Sequence, residues 1–149
     1  MKSKMQDYAH IAEIVSAIAV VVSLVYVGIQ VTDNTKAIRS MTAIEATALT
    51  QQWYLETGTS SQASTLLWQA LDNPDQLEPQ ERFQFFMHMH GILLAMQNSY
   101  YLANEGTLDP EIQESITKAL ASGRNQPGFH LFWEARKSIF FTEFRQLVD

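Results

Sequence analysis

The side chains best suited to bind a metal or move a proton are the four histidines and the acidic residues near them. His88 and His90 are two residues apart, so on a helix their side chains point about 200° apart and cannot share one ion. His130 and Glu134 are four apart and share a helix face, but two ligands are too few for a metal site. The acidic residues that folding could add to this pair are Glu81, Glu105 and Glu111.

Motifs of known chemistry are absent from the sequence. There is no glycine-rich phosphate loop, nucleophile elbow, paired-histidine zinc motif or Glu-x-x-His repeat of the di-iron bundles. The absence of cysteine also excludes disulfide scaffolds, thiolate nucleophiles and cysteine-based zinc or iron–sulfur sites. We therefore predict a protein that is not an enzyme, with no catalytic residue, no bound metal and no cofactor.

A helix predicted over residues 79–104 offers a different chemistry, the binding of an apolar ligand. It is rich in Phe and Met, and His90 and Gln97 could serve as polar handles in an apolar cavity. The residues predicted to form that cavity are Phe86, Met89, His90 and Gln97. The alternative is core packing, in which His90 is a hydrogen-bonded core histidine near Gln97, since Met and aromatic residues at helical spacing are more often core.

The rest of the chain is organised around an apolar stretch at residues 11–31. Between Glu13 and Gln30 no residue is charged, and a helix over the stretch is about 30 Å long, which matches the hydrocarbon core of a bilayer. We predict an N-terminal flank at 1–10, a transmembrane helix at 11–31 and a helical extramembrane domain at 32–149. The alternatives are a cleaved signal peptide, although no small-x-small cleavage pattern follows, and a core helix of a soluble protein.

One face of the predicted span carries small and hydroxyl residues, and the opposite face carries Val, Ile and Leu. The residues of the first face recur at spacings of three and four: Ala12, Ser16, Ala19, Ser23 and Tyr26, with Gln30 extending it. Small residues let two helix backbones approach closely, and serines can hydrogen-bond across the contact. This pattern predicts a helix–helix interface; the alternative is the general abundance of small residues in membrane helices.

Charge limits the class of partner. Residues 1–40 carry four basic and three acidic side chains, whereas residues 41–149 carry six basic and thirteen acidic ones. An acidic domain argues against nucleic-acid binding, which needs a basic face. The predicted partners are therefore the lipid bilayer and other transmembrane helices, from a second copy or from a larger membrane complex. Lys2 and Lys4 on one side of the span nearly balance Lys36 and Arg39 on the other, with a slight preference for a cytoplasmic C-terminal domain.

The remaining sequence predicts an all-α fold of about five helices after the span, since no stretch alternates like a strand. Residues 32–35 either break the first helix or let it continue to about Thr57. Gly58 to Ser61 predicts a stop and a new cap, Gly106 a C-cap, and Asp109-Pro110 a helix start. Further helices are predicted over 61–71, 79–104, 110–123, 129–140 and 142–148, with 125–128 as a loop.

Side-chain spacing predicts which faces of these helices are buried. Before Thr57, Ile38, Met41, Leu49 and Trp53 fall along one side. In the next helix Trp68 accompanies the inward leucines, and Gly91 with Ala95 would permit a close helix crossing. The aromatic segment from Phe129 to Phe144 is predicted to pack in the core; the alternative is an interfacial helix that returns to the bilayer.

The chain resembles a group of small uncharacterised bacterial single-pass membrane proteins. The segments that carry the resemblance are IAEIVSAIAVVVSLVYVGIQVTDNTKAIR, LWQALDNPDQLEPQERFQF, NSYYLANEGTLDPE and FWEARKSIFFTEFRQLVD. The resemblance spans nearly the whole chain and implies a bacterial inner-membrane location. It implies no activity and no catalytic residue.

Two functions follow from the sequence. The first is a membrane-anchored, non-catalytic interaction protein, either an accessory subunit of a larger membrane complex or a homo-oligomer. The second is a membrane-anchored sensor or binding domain for an apolar ligand.

Overall fold

The computed structural model describes residues 2–149, and within that range the fold is all-α, as the sequence predicts. The described residues form six α-helices, which are joined by short connections and two 3-10 turns, at Pro74–Gln76 and Lys137–Ile139. The helices are α1 (Lys2–Thr59), α2 (Ser61–Asp72), α3 (Pro79–Asn104), α4 (Pro110–Gly123), α5 (Pro127–Arg136) and α6 (Thr142–Val148). The long apolar helix followed by a helical bundle confirms the predicted fold class.

The chain divides into two compact units, the first ending at Ile38 and the second spanning Arg39–Asp149. Helix α1 supplies the first unit and continues into the second as residues 39–59. The sequence places the end of the predicted span at Val31, because hydropathy falls there. Compactness and hydropathy are different criteria, so the two boundaries need not coincide.

Helix α1 continues through the polar residues 32–35, so of the two predicted alternatives the structure shows the unbroken helix. The hydroxyl of Thr32 donates to the carbonyl of Gly28 at 2.9 Å, and that of Thr35 donates to the carbonyl of Val31 at 2.8 Å. Each threonine thus bonds back to the preceding turn instead of capping a new helix. This local bonding removes the reason for a break.

Helix α3 lies at the centre of the second unit and has the start and end that the sequence predicts. Glu78 and Glu81 form a reciprocal capping box around Pro79. Gly106 ends the helix with a φ of 71°, which a residue with a side chain adopts only at a cost. Buried side chains of α3 are Phe85, Met89, Ile92, Leu93, Met96, Gln97 and Ser99.

The other predicted caps are also present. Ser60 accepts a hydrogen bond from the Ala63 amide and begins α2, and Asp109 accepts one from the Glu111 amide and begins α4. These side chains satisfy amides that the first helical turn leaves without an internal partner.

The face of α1 that enters the core differs from the predicted one. Met41 and Leu49 are exposed, whereas Ala46 and Thr50 are buried and Trp53 is half buried. The indole N–H of Trp53 donates to the carbonyl oxygen of His88 on α3 at 3.1 Å. On the side of α1 that carries this bond, the preceding turns present small and threonine side chains to the core. The prediction for Met41 and Leu49 was wrong.

Trp68 is also exposed, at 78%, which contradicts its predicted inward position on α2. The leucines at 66 and 67 pack against the core, and Ala70 is fully buried. Trp68 and Ala70 are two residues apart, so on α2 their side chains point about 200° apart, and burial of Ala70 leaves Trp68 outside.

A close helix crossing occurs at Gly128, not at Gly91. Helix α5 begins at Pro127, so Gly128 is helical and buried rather than part of the predicted loop. A Cβ at Gly128 would lie 1.9 Å from the carbonyl oxygen of Ala70, whereas a Cβ at Gly91 would meet nothing within 4 Å. Helices α2 and α5 therefore approach as closely as they do because residue 128 has no side chain.

The C-terminal aromatic segment packs in the core, as predicted. Its buried members are Phe129, Phe132, Trp133, Phe140 and Phe144. Instead of one helix over 129–140, α5 ends at Arg136 and a 3-10 turn follows. The Trp133 indole N–H donates to the Asp149 carboxylate at 2.7 Å, and Arg124 donates to the Asp149 carbonyl oxygen at 3.0 Å. These two bonds attach the end of the chain to the bundle.

We predict that Gly128→Ala destabilises the second unit by about 1–3 kcal/mol, because the added methyl group collides with backbone and not with a flexible side chain. The measurement is the midpoint of urea unfolding of the full chain in mild detergent, with circular dichroism as the signal. Gly91→Ala is the matched control: it lies in a helix with open space around it and should keep or slightly raise the midpoint. Equal midpoints for both variants would contradict the close crossing.

Candidate functional site

The small-residue face predicted on the first unit is fully accessible. Ala12, Ser16, Ala19, Ser23 and Tyr26 are all exposed. The Gln30 amide donates to the Tyr26 hydroxyl at 2.8 Å, so these two polar side chains lie together one turn apart. This bond partly satisfies the polar groups at one end of the face without help from another chain.

The apolar side chains around that face are exposed as well. From Ile11 to Val31 the large apolar residues keep between 50% and 66% of their surface accessible. None of the most apolar window of the helix is buried within the described chain. By length and composition this one helix among the described residues could cross a membrane.

The second unit contains a polar cluster that joins α1 to α3, formed by Trp53, Thr57 and His88. The rings of Trp53 and His88 stack with centroids 4.7 Å apart. The Thr57 hydroxyl lies 2.7 Å from His88 Nε2 and donates its own proton to the Trp53 carbonyl oxygen at 2.8 Å. The Thr57 hydroxyl can therefore bond both groups at once when the neutral ring of His88 carries its proton on Nε2 and donates from there.

Burial lowers the pKa of His88, and the nearby carboxylate of Glu56 opposes this change by favouring the imidazolium. Loss of hydration is the larger effect, so the pKa lies below its usual value. The neutral ring therefore suits the stacked, hydrogen-bonded position between the two helices.

The four residues predicted to line one ligand cavity have separate environments. Phe86 packs edge-on against Phe132 at 5.4 Å. His90 is half buried, with its ring 5.7 Å from that of Phe140. The Gln97 side-chain oxygen accepts a hydrogen bond from the Phe141 amide at 2.7 Å, which attaches α3 to the residue that precedes α6.

Met89, the fourth, does line a cavity, which we call the interior cavity. It has a volume of about 350 Å³ and is bounded by α1, α2, α3, α4 and α5. Its lining includes Trp53, Leu71, Met89, Met96, Leu120 and Phe129. The lining does not include Phe86, His90 or Gln97.

Most residues that line this cavity were not predicted from the sequence as ligand-binding residues, although the sequence indicates two of them. It placed Trp53 on an inward face and Met89 in a ligand-lining set. The contributions of Leu71, Leu120 and Phe129 depend on how α2, α4 and α5 surround α3, and helical periodicity shows only that such residues face inward.

The histidine and carboxylate pair considered for a metal is otherwise engaged. Lys137 donates to Glu134 Oε1 at 2.8 Å, and this bond raises the pKa of Lys137. His130 is exposed and its ring packs edge-on near Phe129. Across the residues whose side chains the structure describes, no group of three His, Asp or Glu side chains lies close enough to hold an ion.

Comparisons of the chain with protein-family models, with curated proteins and with solved structures find no match. The resemblance to the bacterial single-pass group stays a prediction.

We predict that the free energy of unfolding falls as the pH is lowered from about 7 to about 5, and that His88 contributes to the fall. The pKa of His88 is lower in the folded chain than in the unfolded chain. Above the unfolded pKa, His88 is neutral in both states and its titration does not affect stability. Below it, the unfolded chain binds the proton more readily than the folded chain. Stability is therefore lost as the pH drops through the unfolded pKa towards the folded one.

The measurement is the urea midpoint of wild type, His88→Gln and His130→Gln at the two pH values. Gln can donate an N–H to Thr57 but does not titrate, so His88→Gln should show a smaller loss than wild type. His130 is exposed, and its variant should behave as wild type. If the loss of stability between the two pH values is the same in His88→Gln as in wild type, His88 does not contribute to it and the prediction is contradicted.

Proposed function

We propose that the protein is a non-catalytic, membrane-anchored interaction protein, in which residues 11–31 span the bacterial inner membrane once. The domain at 32–149 lies outside the bilayer, with the cytoplasmic side as the slightly favoured orientation. Its small-residue face engages another transmembrane helix, in a homo-oligomer or as an accessory subunit of a larger membrane complex.

The observation that carries the proposal is the exposure of the apolar side chains between Ile11 and Val31. They are covered by no described part of the chain, although the same chain packs a well-formed core elsewhere. Apolar surface of this extent is removed from water by lipid or by another helix. Backbone polar groups inside α1 are satisfied within the helix, as a span requires.

The choice of Ala12, Ser16, Ala19 and Ser23 as the contact face has a separate physical basis. In a bilayer, lipid covers Val, Ile and Leu as well as protein does, so helix association depends on close packing and hydrogen bonds. Small side chains permit that close approach. The serine hydroxyls can bond across it.

The second unit also has surface suited to a partner. Met41, Ile44 and Leu55 on α1 expose 61%, 68% and 65% of their surface. They lie on an acidic domain, so we propose that this surface meets an extramembrane surface of the same partner and not anionic lipid.

We predict that Ser16→Leu with Ala19→Leu weakens assembly by roughly tenfold or more, because the larger side chains hold the two backbones apart. Assembly is measured by native gel migration and by co-purification from membranes in mild detergent.

The matched control is Ala17→Leu with Val21→Leu, which adds apolar volume on the opposite side of the same helix. That variant should assemble as wild type does. Unchanged migration and co-purification for the Ser16/Ala19 variant would contradict the proposed face.

A further inference from the structure

We infer that the interior cavity is a binding site for a small neutral molecule with a single alkyl chain and at most one hydroxyl or carbonyl group. The cavity lies wholly within Arg39–Asp149, so the inference does not depend on how the apolar helix is used.

Size is the first argument. Four other clefts of about 230–500 Å³ lie on the second unit, and each is lined by two or three helices, whereas five helices line this one, which opens to solvent on one side. It falls within the range of small-molecule sites, which begins at about 300 Å³. At about 30 Å³ for a water-sized group, it holds on the order of ten carbon-sized groups.

The charge of the lining is the second argument. Every charged residue type is missing from the lining, which consists of apolar side chains, three hydroxyl-bearing ones and a glycine. A carboxylate or ammonium group inside would lose its hydration and gain no ion partner. A hydroxyl or carbonyl end group can enter the cavity with the chain, whereas a carboxylate must stay in solvent at the opening, so the fatty acid covers less of the apolar lining than the alcohol of the same chain length.

The hydroxyl groups are the third argument. The Thr57 hydroxyl donates to the Trp53 carbonyl, and the Ser122 hydroxyl donates to the Ala119 carbonyl at 2.7 Å. The third hydroxyl belongs to Tyr54, which is 49% exposed, so the cavity reaches solvent beside a phenol. A polar end group would bond there while the chain extends inward.

The interior of the cavity suits a flexible chain. Met89 and Met96 line it from α3, and thioether side chains adapt to irregular apolar shapes. Trp53 is held by its bond to the His88 carbonyl, so its indole forms a fixed wall. A rigid wall opposite adaptable side chains holds an alkyl chain without requiring one fixed length.

The test uses the full chain in native membranes and a ten-carbon primary alcohol with a diazirine near the chain end. After illumination, labelled residues are mapped by mass spectrometry. We expect saturable labelling on α3 and α4, near Met89, Met96 and Leu120, and competition by decan-1-ol but not by decanoate. Competition by both would overturn the neutral class, and labelling confined to residues 11–31 would overturn the site.

Ala119→Phe fills the cavity from α4, and Ala121→Phe makes the same change on the exposed side of that helix. Since displacing even two methylene groups lowers affinity by about tenfold, the first variant should lose most of the α3 and α4 labelling. The second should keep it. Equal labelling of the two variants would overturn the site, and if Ala119→Phe fails to fold by circular dichroism, the competition pattern of the wild type decides alone.

Discussion

The constraint on which the structure depends is that the apolar surface of residues 11–31 must leave water. Thirteen large apolar residues there are exposed. At about 1.5–3 kcal/mol for each such side chain, leaving them in water forgoes on the order of 20 kcal/mol, more than the whole stability of a typical domain at about 5–15 kcal/mol. A helix with this composition is stable where lipid or another helix covers it, and α1 satisfies its own backbone there.

The second unit removes its apolar side chains from water by packing them in its own core. Its central helix α3 packs against α2 and α4. The rings of Phe86 and Tyr100 on α3 contact those of Phe132 on α5 and Phe144 on α6. Residues 39–59 of α1 join this core through Thr57 and Trp53, whose polar atoms bond the side chain and backbone of His88. Thr50 is buried nearby in sequence, and its hydroxyl finds no hydrogen-bond partner among the described residues. The attachment of α1 therefore depends on a few directional bonds and not on tight apolar packing alone.

Local chemistry made much of this fold predictable, and non-local packing explains what was not. Pro79, Gly106 and Asp109 act within a few residues of their positions, so the ends of α3 and the start of α4 could be predicted from sequence. The exposure of Met41, the close contact at Gly128 and the interior cavity depend on helices distant in sequence. Periodicity alone ranks Met41 as inward and Gly128 as loop. In the structure Met41 is exposed, the side of α1 that bonds His88 through Trp53 faces the core, and Gly128 lies in α5 against the backbone of Ala70.

Cysteine accessibility tests the central claim most directly, because the chain has no cysteine of its own and each introduced thiol is a background-free probe. Maleimides react with the thiolate, which does not form in hydrocarbon. In intact membranes, the Val21→Cys variant should resist N-ethylmaleimide until the membrane is dissolved and the chain denatured, whereas the Glu45→Cys variant should react at once. Equal, rapid labelling of both variants in intact membranes would show that the apolar helix does not lie in the bilayer.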